Sequence, residues 1–208
     1  MSNQVQEAIT ALKKNNMGAI YAKDKDEATK IAFGMIPEKS SIGLGGSITL
    51  EEIGLLAKLR GSPNINLLDR YAPDLSQKQA SELIRQSLLS DIYISGSNAI
   101  TLEGEIINTD GRGNRVAALI FGPKKVIIIV GKNKIVKDQA AAFVRIRDTA
   151  APMNTKRLDK KTPCKTTGKC EDCSSPERIC RFHTIITKQK PEPKPRINVI
   201  IVDDDLGY

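Results

Sequence analysis

The stretch from Gly96 to Val130 constrains the fold more than any other part of the chain, because it combines several secondary-structure signals in one run. It predicts two short strands joined by a turn at Glu103-Gly104, then a glycine-rich loop, a helix over 114–120 and a strand. The closing strand, Val126 to Val130, is apolar on both faces, which is typical of a central strand in a parallel sheet. We therefore predict an α/β fold whose sheet is mostly parallel or mixed and is flanked by helices.

The loop NTDGRGN before the predicted helix has the composition of an anion-binding site. Its two glycines permit backbone conformations that other residues resist, and its Asp or Asn residues can cap the helix. The first N–H groups of a helix lack partners and attract anions, and two arginines add positive charge beside them. We expect a phosphate or carboxylate group to bind here. The residues predicted to bind it are Asp110, Gly111, Gly113, Asn114 and Arg115, with Arg112 as a second positive charge.

A second glycine loop follows an earlier predicted strand, in the sequence SSIGLGGSITLEEIGLL. One such loop is a weak signal, because many connections use glycine only to turn. Two of them at strand ends favour a ligand crevice, since open α/β sheets bind ligands at the carboxyl ends of their strands. The predicted ligand-binding residues outside the first loop are Gly45, Gly46, Ser47, Thr49, Gly96 and Asn98.

The remaining periodicities extend the α/β pattern along the chain. Apolar residues at helical spacing over 5–12 predict an amphipathic helix, and a later helix is expected to end near Pro152. Residues 1–155 are predicted to form the α/β domain and residues 156–182 a small basic, Cys-rich appendage. Residues 183–208 are predicted to return to the main domain as a hairpin or as added strands.

The net charge of +8 comes from 32 Lys or Arg residues against 24 Asp or Glu residues, and it is concentrated in the last quarter of the chain. Between Lys156 and Arg196 there are twelve basic and five acidic residues, an excess of +7. Aromatic residues make up only 4% of the chain and Trp is absent, so stacking platforms for nucleic acid are poorly supplied. We interpret the basic segment as a solvated surface, and a nucleic-acid partner is disfavoured.

The apolar runs of the chain are short. The run from Val126 to Val130 has only five residues, whereas a helix needs about 20 apolar residues to cross a bilayer. The N-terminal residues show helical periodicity rather than the apolar core of a signal peptide. We expect a soluble, cytoplasmic protein with no membrane partner.

All four cysteines fall within 17 positions, in the pattern C-x5-C-x2-C-x6-C. The C-x-x-C pair can place two thiolates on one ion, and the two flanking cysteines can complete a four-sulfur shell. Disulfides are disfavoured in a cytoplasmic protein, and unligated thiols are the simplest alternative. We expect a metal site, and the spacing leaves open whether it holds zinc or a [4Fe-4S] cluster. Its predicted ligands are Cys164, Cys170, Cys173 and Cys180.

No catalytic residue can be assigned from the sequence. His183 is the only histidine, and its position far along the chain from the glycine loops predicts an ordinary strand residue. Glu103 and Glu105 are the pair of glutamates in the right neighbourhood for a nucleophile, but Glu103-Gly104 is explained by a hairpin turn. Glu105 is retained only as polar lining.

Several segments together resemble the LUD-domain family of lactate utilization proteins. They are GLGGSITLEEIGLL, LLDRY, GSNAITLEGEIINTDGRGNRVAALIFGPKKVIIIVGKNKIV and AAPMNTKRL, and the resemblance covers essentially the whole chain. The segment PCKTTGKCEDCSSPERIC resembles a stand-alone, cysteine-bearing branch of that family. The family implies an α/β fold similar to that of ribose-5-phosphate isomerase, glucosamine-phosphate deaminase and the CoA transferases.

For function, the resemblance implies participation in the oxidation of L-lactate to pyruvate beside iron-sulfur redox partners. The chain would then bind an anionic small molecule in its glycine-loop crevice. The alternative is a non-catalytic regulatory module of the same fold that binds a sugar phosphate or a nucleotide. A more distant similarity to methylthioribose-1-phosphate isomerase breaks down at Asn98, where that enzyme has an acidic residue, because an amide cannot act as a carboxylate base.

Overall fold

The computed structural model describes residues 1–208 and contains ten strands and nine α-helices. The strands are β1 (Gly18–Ala22), β2 (Ser41–Leu44), β3 (Asn66–Leu68), β4 (Ile92–Ser95), β5 (Ala99–Thr101), β6 (Ile106–Asp110), β7 (Lys125–Gly131), β8 (Ile135–Val136), β9 (Phe182–Ile186) and β10 (Ile197–Val202). The helices are α1 (Asn3–Lys14), α2 (Lys25–Gly34), α3 (Ile48–Glu52), α4 (Leu55–Arg60), α5 (Gln77–Gln86), α6 (Asn114–Ile120), α7 (Gln139–Arg145), α8 (Ala151–Arg157) and α9 (Pro163–Thr167). Short 3-10 turns lie at Ser87–Leu89 and Lys132–Lys134, and a π-helical turn lies at Ile146–Ala150. None of the helices has the length and apolar character that crossing a membrane requires.

Six parallel strands form the main sheet, in the order β1-β10-β7-β4-β2-β3. Within it, β7 lies between β10 and β4, with Ile128 paired to Val199 on one side and to Ser95 on the other. The prediction that Val126 to Val130 forms a central strand is therefore confirmed. The parallel sheet and its flanking helices confirm the predicted α/β fold class.

The two faces of the main sheet bury separate apolar clusters, because neighbouring side chains of a strand point in opposite directions. Ile128 and Val130 belong to a cluster that includes the apolar face of α1. Ile127 and Ile129 belong to a second cluster with residues of α2, α3 and α4. All four side chains are fully buried, which explains why the chain is apolar at every position from Val126 to Val130. The apolar residues over 5–12 lie on the buried face of α1, as predicted.

A smaller sheet of four strands has the order β8-β5-β6-β9. In it, β5 and β6 form the predicted antiparallel hairpin, with Gly104 at a φ of +76° in the turn. A Cβ atom at Gly104 would lie 2.5 Å from the backbone of Ala11, so α1 packs directly on the turn. The positive φ and this close approach together require glycine.

The two C-terminal apolar runs do not pair with each other. Strand β9 joins the smaller sheet beside β6, whereas β10 lies between β1 and β7 in the main sheet. The hairpin alternative therefore does not describe this segment, because each run pairs with earlier strands of a different sheet. The core of the main sheet includes residues from both ends of the chain.

The helix expected to end near Pro152 continues to Arg157. Helix α7 leads into the π-helical turn, and α8 begins at Ala151 with Pro152 in its first turn. Proline has no backbone N–H, and the first turn of a helix tolerates this loss because its N–H groups have no partner within the helix. The expected stop was wrong because Pro152 lies in the first turn of α8, where a missing N–H breaks no hydrogen bond within that helix.

Candidate functional site

A cleft of about 750 Å³ opens at the carboxyl ends of the parallel strands. The loop after β2 contributes Gly46 and Ser47, the loop after β4 contributes Gly96, and the turn after β7 contributes Lys134. The loop between β6 and α6 forms another side. The volume falls within the range of small-molecule sites, roughly 300 to 1,000 Å³. Both predicted glycine loops thus reach one cleft, at the place where open α/β sheets bind ligands.

Eight of the eleven predicted ligand-binding residues line this cleft, and three do not. Gly45 lies behind the wall, where a Cβ atom would be 2.4 Å from Oγ of Ser95. Thr49 is fully buried. Gly113 adjoins a separate, shallower surface beside Phe182. The eight that line the cleft are Gly46, Ser47, Gly96, Asn98, Asp110, Gly111, Asn114 and Arg115.

The glycine loop after β2 packs closely against the loops that follow β3 and β4, and the contact leaves no room for larger residues. A Cβ atom on Gly96 would lie 2.7 Å from Oγ of Ser47. A Cβ atom on Gly46 would lie 2.9 Å from the phenol oxygen of Tyr71 and 3.0 Å from Nη2 of Arg70. Neither glycine has a positive φ, so close packing rather than backbone freedom explains them.

A carboxylate of the protein already accepts hydrogen bonds from the N–H groups at the N-terminus of α6. Asp110 accepts hydrogen bonds from the backbone N–H groups of Arg115 at 3.0 Å and Val116 at 3.4 Å. Its other carboxylate oxygen accepts from the N–H of Gly111 at 3.0 Å. Asp110 therefore caps the helix, as one of the two predicted alternatives. A ligand anion placed at this helix end would meet the charge of Asp110, so the basic side chains of the cleft are its better contacts.

Arg115 ties the loops together. Its guanidinium donates to the carbonyl oxygens of Gly96 at 3.4 Å and Thr109 at 2.8 Å, and to the amide oxygen of Asn98 at 3.1 Å. It also donates to the amide oxygen of Asn108. Asn98 in turn accepts from the backbone N–H of Thr109 at 2.8 Å. These acceptors are all neutral, so the positive charge of Arg115 at the cleft wall has no carboxylate partner.

The cleft is strongly positive. Eight Lys or Arg residues and two Asp or Glu residues line it, a difference of +6. The basic residues are Arg70, Arg112, Arg115, Lys134, Arg157, Lys160, Arg178 and Arg181, and the acidic ones are Asp110 and Glu177.

Only Arg112 and Arg115 were predicted from the sequence. Four of the other basic residues belong to the segment between Lys156 and Arg196, which was interpreted as a solvated surface. That interpretation needs correction, because the segment folds back over the glycine loops and turns part of its charge into the cleft. The concentration of positive charge in this segment was the sequence signal that could have identified these four residues.

Lys134 is a buried cation in the cleft wall, with only 4% of its surface exposed. Its Nζ donates to the hydroxyl of Thr49 at 3.4 Å. Burial, and then the positive charges of Arg145 and Arg115, lower the pKa of Lys134 to about 7, while Glu52 acts in the opposite direction. A substantial share of this side chain is therefore the neutral amine at neutral pH. No sequence pattern singled out this lysine.

The Cys-rich segment forms one wall of the cleft. A Cβ atom on Gly111 would lie 3.1 Å from Cα of Ile179, which shows how closely the segment packs on the glycine loop. Cys180 lines the cleft. The segment that was expected as an appendage thus belongs to the crevice, because it leads directly into β9 and β9 pairs with β6.

The four thiols are free, and the other three act electrostatically on Cys180. Burial raises the pKa of Cys180 to about 11, and the neighbouring thiols, Cys170 first among them, add to the rise. Sulfur donors of this kind suit zinc or an iron-sulfur cluster. No group of three or more Cys, His, Asp or Glu side chains is arranged to hold a metal ion in this conformation. Sharing one metal would require the thiols to move closer together.

Arg178 organises the backbone around two of these cysteines. Its guanidinium donates to the carbonyl oxygens of Cys180 at 2.8 Å and Cys173 at 2.7 Å. It also forms an ion pair with Asp172 at 2.7 Å. Because Arg178 lines the cleft as well, it connects the shape of the Cys-rich segment to the charge of the cleft.

His183 is a strand residue, as predicted, but it is not remote from the glycine loops. It pairs with Thr109 across β9 and β6, and its Nδ1 shares a hydrogen bond with the Thr109 hydroxyl at 2.9 Å. The expected distance was wrong because β9 adds to the strand that leads into the loop. Glu105, retained as polar lining, is instead buried away from the cleft, where it accepts a hydrogen bond from Gln139 at 2.7 Å.

Similarity to known proteins extends over nearly the whole chain. The sequence pattern described as the LUD domain matches residues 5–202. The crystal structure of a DUF162 family protein from Deinococcus radiodurans is similar over 96% of this chain and 94% of that chain, with 16% sequence identity and a TM-score of 0.50. Among curated proteins, none matches this chain.

Two solved ribose-5-phosphate isomerases are similar over part of the chain. One, in complex with phospho-erythronic acid, covers 55% of this chain and 54% of its own, with 22% identity and a TM-score of 0.36. The other, ribose 5-phosphate isomerase A from Methanocaldococcus jannaschii, covers 55% of each chain, with 18% identity and a TM-score of 0.35.

The matched residues 5–202 include all ten strands, both glycine loops, Lys134 and the Cys-rich segment. The match therefore covers the whole of the main sheet and most of the cleft wall. The chain belongs to the LUD domain family, which is associated in general with lactate utilization.

Proposed function

We propose that this protein is a cytoplasmic component of lactate-type 2-hydroxy acid utilization, and that its cleft binds an anionic small molecule. In this role it takes part in the oxidation of L-lactate to pyruvate beside iron-sulfur redox partners. The observation that carries the proposal is the charge of the cleft, where eight basic residues accompany only two acidic ones. A concentration of cations that have few carboxylate partners favours an anionic ligand.

The side chains that can bind the anion are those that keep a hydrogen-bond donor not used within the protein. Arg112 is exposed at the mouth of the glycine loop. Arg70 lies over the ring of Tyr71 at 4.7 Å and donates from Nη2 to the Tyr71 hydroxyl, whereas its Nε is a buried donor without a hydrogen-bond partner. A buried donor of this kind beside a cleft is stabilised when a ligand supplies an acceptor. We assign Arg70 and Arg112 as the first contacts of the ligand.

The four cysteines would hold a [4Fe-4S] cluster or a zinc ion beside this anion site. A cluster would supply electron transfer, whereas zinc would stabilise the wall and help to dock a partner. Metal binding requires thiolates, and the positive charge of the metal would offset the effects of burial and of the neighbouring thiols, which raise the pKa of Cys180. The ligands in this proposal are Cys164, Cys170, Cys173 and Cys180.

Metal analysis tests the cysteine part of the proposal. The protein would be purified with and without oxygen, and iron, sulfide and zinc would be measured per chain. We expect one zinc or one cluster, and its loss when Cys170 and Cys173 are replaced by Ser. The absence of metal under both conditions would refute this part.

Calorimetric titration tests the anion part. L-lactate, pyruvate, sugar phosphates and nucleotides would be titrated against the wild type, Arg70→Gln and Arg112→Gln. Losing one charge-assisted hydrogen bond is worth about 1.5 to 3 kcal/mol, so affinity should fall about tenfold or more. Arg147→Gln is the matched control, because Arg147 is an exposed arginine paired with Asp148 outside the cleft. Equal affinities in all three variants would contradict the proposal.

A non-catalytic regulatory module that binds a phosphorylated metabolite is the second candidate. The volume of about 750 Å³ favours it, because this space and charge exceed what one small carboxylate needs. Stabilisation by sugar phosphates or nucleotides without turnover is expected in that case. Lactate-dependent dye reduction in the presence of redox partners would exclude this candidate.

A further inference from the structure

We propose that Lys134 is a nucleophilic amine that forms an imine with a ligand carrying a carbonyl group next to an anionic group, as in a 2-oxo acid. The inference rests on the proposed function, since both require an anion in the same cleft. It goes further by naming the reacting residue and the chemical class of the ligand.

The positive charges of Arg145 and Arg115 both act on Lys134, and none of these three side chains forms an ion pair with a carboxylate. Arg145 donates to two backbone carbonyl oxygens, at 2.8 and 3.1 Å. Arg115 donates only to carbonyl and amide oxygens. Lys134 donates to the hydroxyl of Thr49 at 3.4 Å. The polar atoms around these cations are satisfied, but their charges are not neutralised.

The amine of Lys134 is packed against the C-terminal residues, and the residue lines the cleft. Glu52 is the carboxylate whose charge reaches Lys134, but its Oε2 accepts the backbone N–H of Gly207 at 2.7 Å. A Cβ atom on Gly207 would lie 3.1 Å from Nζ of Lys134, so the C-terminal residues pack against the amine.

Burying an ammonium group beside two guanidinium groups is costly, and two events relieve the cost. The amine can lose its proton, or an anion can bind between the charges. Burial and the charges of Arg145 and Arg115 favour the first event, since they lower the pKa of Lys134 to about 7. The permanent charges of the two arginines favour the binding of an anion. A molecule that carries a carbonyl group and an anionic group can react with the neutral amine and also bind between the two arginines.

The reaction itself needs no other reagent. The lone pair of neutral Nζ attacks the carbonyl carbon, a C–N bond forms, and the carbonyl π electrons move to oxygen. Proton transfer from nitrogen to oxygen gives a carbinolamine, which then loses water to form the imine. Atoms and electrons balance as amine plus ketone giving imine plus water. Hydrolysis by the reverse route releases the ligand unchanged.

Lys132 provides a matched control two positions away in the same turn. It is exposed and forms an ion pair with Asp203 at 3.0 Å. That partner raises the pKa of Lys132, so its amine is almost entirely charged at neutral pH and is a poor nucleophile. The two lysines lie in the same local sequence. They differ in burial and in the charge of the side chains around them, which is negative for Lys132 and positive for Lys134.

Reductive trapping tests the inference on the full chain. The protein would be incubated with pyruvate at pH 7, reduced with sodium borohydride, and analysed by intact mass and peptide mapping. We expect one adduct per chain, located on Lys134. It should be lost in Lys134→Met and Lys134→Arg and retained in Lys132→Met, with folding of each variant checked by circular dichroism. Adducts spread over surface lysines, and equally present in Lys134→Met, would overturn the inference.

A thermal-shift series separates failure of the inference from failure of the proposed function. If pyruvate or other anions raise the melting temperature but leave no adduct on the wild type, the imine is excluded and anion binding stands. If no anion in the series binds, both the proposed function and the imine are excluded.

Discussion

The backbone N–H of Arg181 donates to the carbonyl oxygen of Asp110 at 3.0 Å, and this bond joins the Cys-rich segment to the glycine loop. The same Asp110 caps α6 through its carboxylate. One residue thus connects the wall that carries the thiols, the loop that lines the cleft and the helix behind it. Events at the cysteines and in the cleft are therefore expected to affect each other.

Ligand binding should protect Cys180 from alkylation. Cys180 lines the cleft, whereas Cys170 does not and serves as an internal control. An anion that fills the cleft should slow the reaction of Cys180 with iodoacetamide and leave the rate at Cys170 unchanged, as followed by peptide mass spectrometry at pH 9. Equal slowing at both cysteines would indicate a general stabilisation of the fold, and the prediction would then fail.

Replacing Asp110 by Asn should tighten anion binding. The substitution removes one of two negative charges in the cleft and keeps an oxygen that can cap α6. A unit charge contributes about 1 kcal/mol at about 4 Å in a medium that screens like water, so affinity should rise about fivefold or more. Calorimetry would measure the change. Glu177→Gln, at the other acid, should act in the same direction, and weaker binding in both variants would contradict the model of a purely electrostatic cleft.

Arg196 should contribute strongly to stability because it closes the C-terminus of α6. Its guanidinium donates to the carbonyl oxygens of Pro123 at 2.8 Å, Leu119 at 2.7 Å and Ala118 at 2.8 Å. Arg196→Met would leave these carbonyls without that donor and should lower the free energy of unfolding by about 2 kcal/mol. Urea denaturation would measure it. The exposed Lys194, replaced by Met, should change stability little.

The buried amine of Lys134 should make stability depend on pH. Its pKa falls from an ordinary value of 10.5 to about 7 on folding. Between about pH 7 and 10.5 the unfolded chain holds a proton that the folded chain has lost, so stability from this group rises with pH, by at most about 1.4 kcal/mol per unit. Below pH 7 both states are charged, and the cost of the buried charge is fully present.

Lys134→Met removes that cost. The substitution should therefore stabilise the protein more at pH 6 than at pH 9, as measured by urea denaturation of both proteins at each pH. Lys132→Met is the control, since Lys132 is exposed. An equal effect of Lys134→Met at the two pH values would show that Lys134 does not titrate in this range.

Gly104 should not tolerate alanine. Its φ is +76°, and a Cβ atom would lie 2.5 Å from the backbone of Ala11, so the substitution would strain the turn and displace α1. We expect a loss of about 2 kcal/mol or more in the free energy of unfolding. Gly34→Ala is the control, because nothing lies within 4 Å of a Cβ there and alanine favours the helix. Similar effects of the two substitutions would contradict this account.

Local chemistry in the sequence determined the elements of the fold. A glycine-rich loop with capping residues predicted α6, turn chemistry predicted the hairpin at Gly104, and a run that is apolar on both faces predicted the central position of β7. These signals act between neighbouring residues. The pairing of β10 between β1 and β7 could not be predicted, because the residues of a strand do not specify which distant strands it pairs with.

The glycine loops could be predicted as parts of one crevice, because strands of a parallel sheet end at the same edge. The charge of that crevice was decided by tertiary structure. In the sequence, Arg178 and Arg181 belong to a basic segment that is expected to be solvated, but in the structure this segment folds back over Asp110 and both residues line the cleft. Lys134 is an ordinary loop lysine in the sequence, but the structure buries it within the electrostatic reach of Arg145. Residue types and local spacing are properties of the sequence, whereas burial and the proximity of distant charges exist only once the chain has folded.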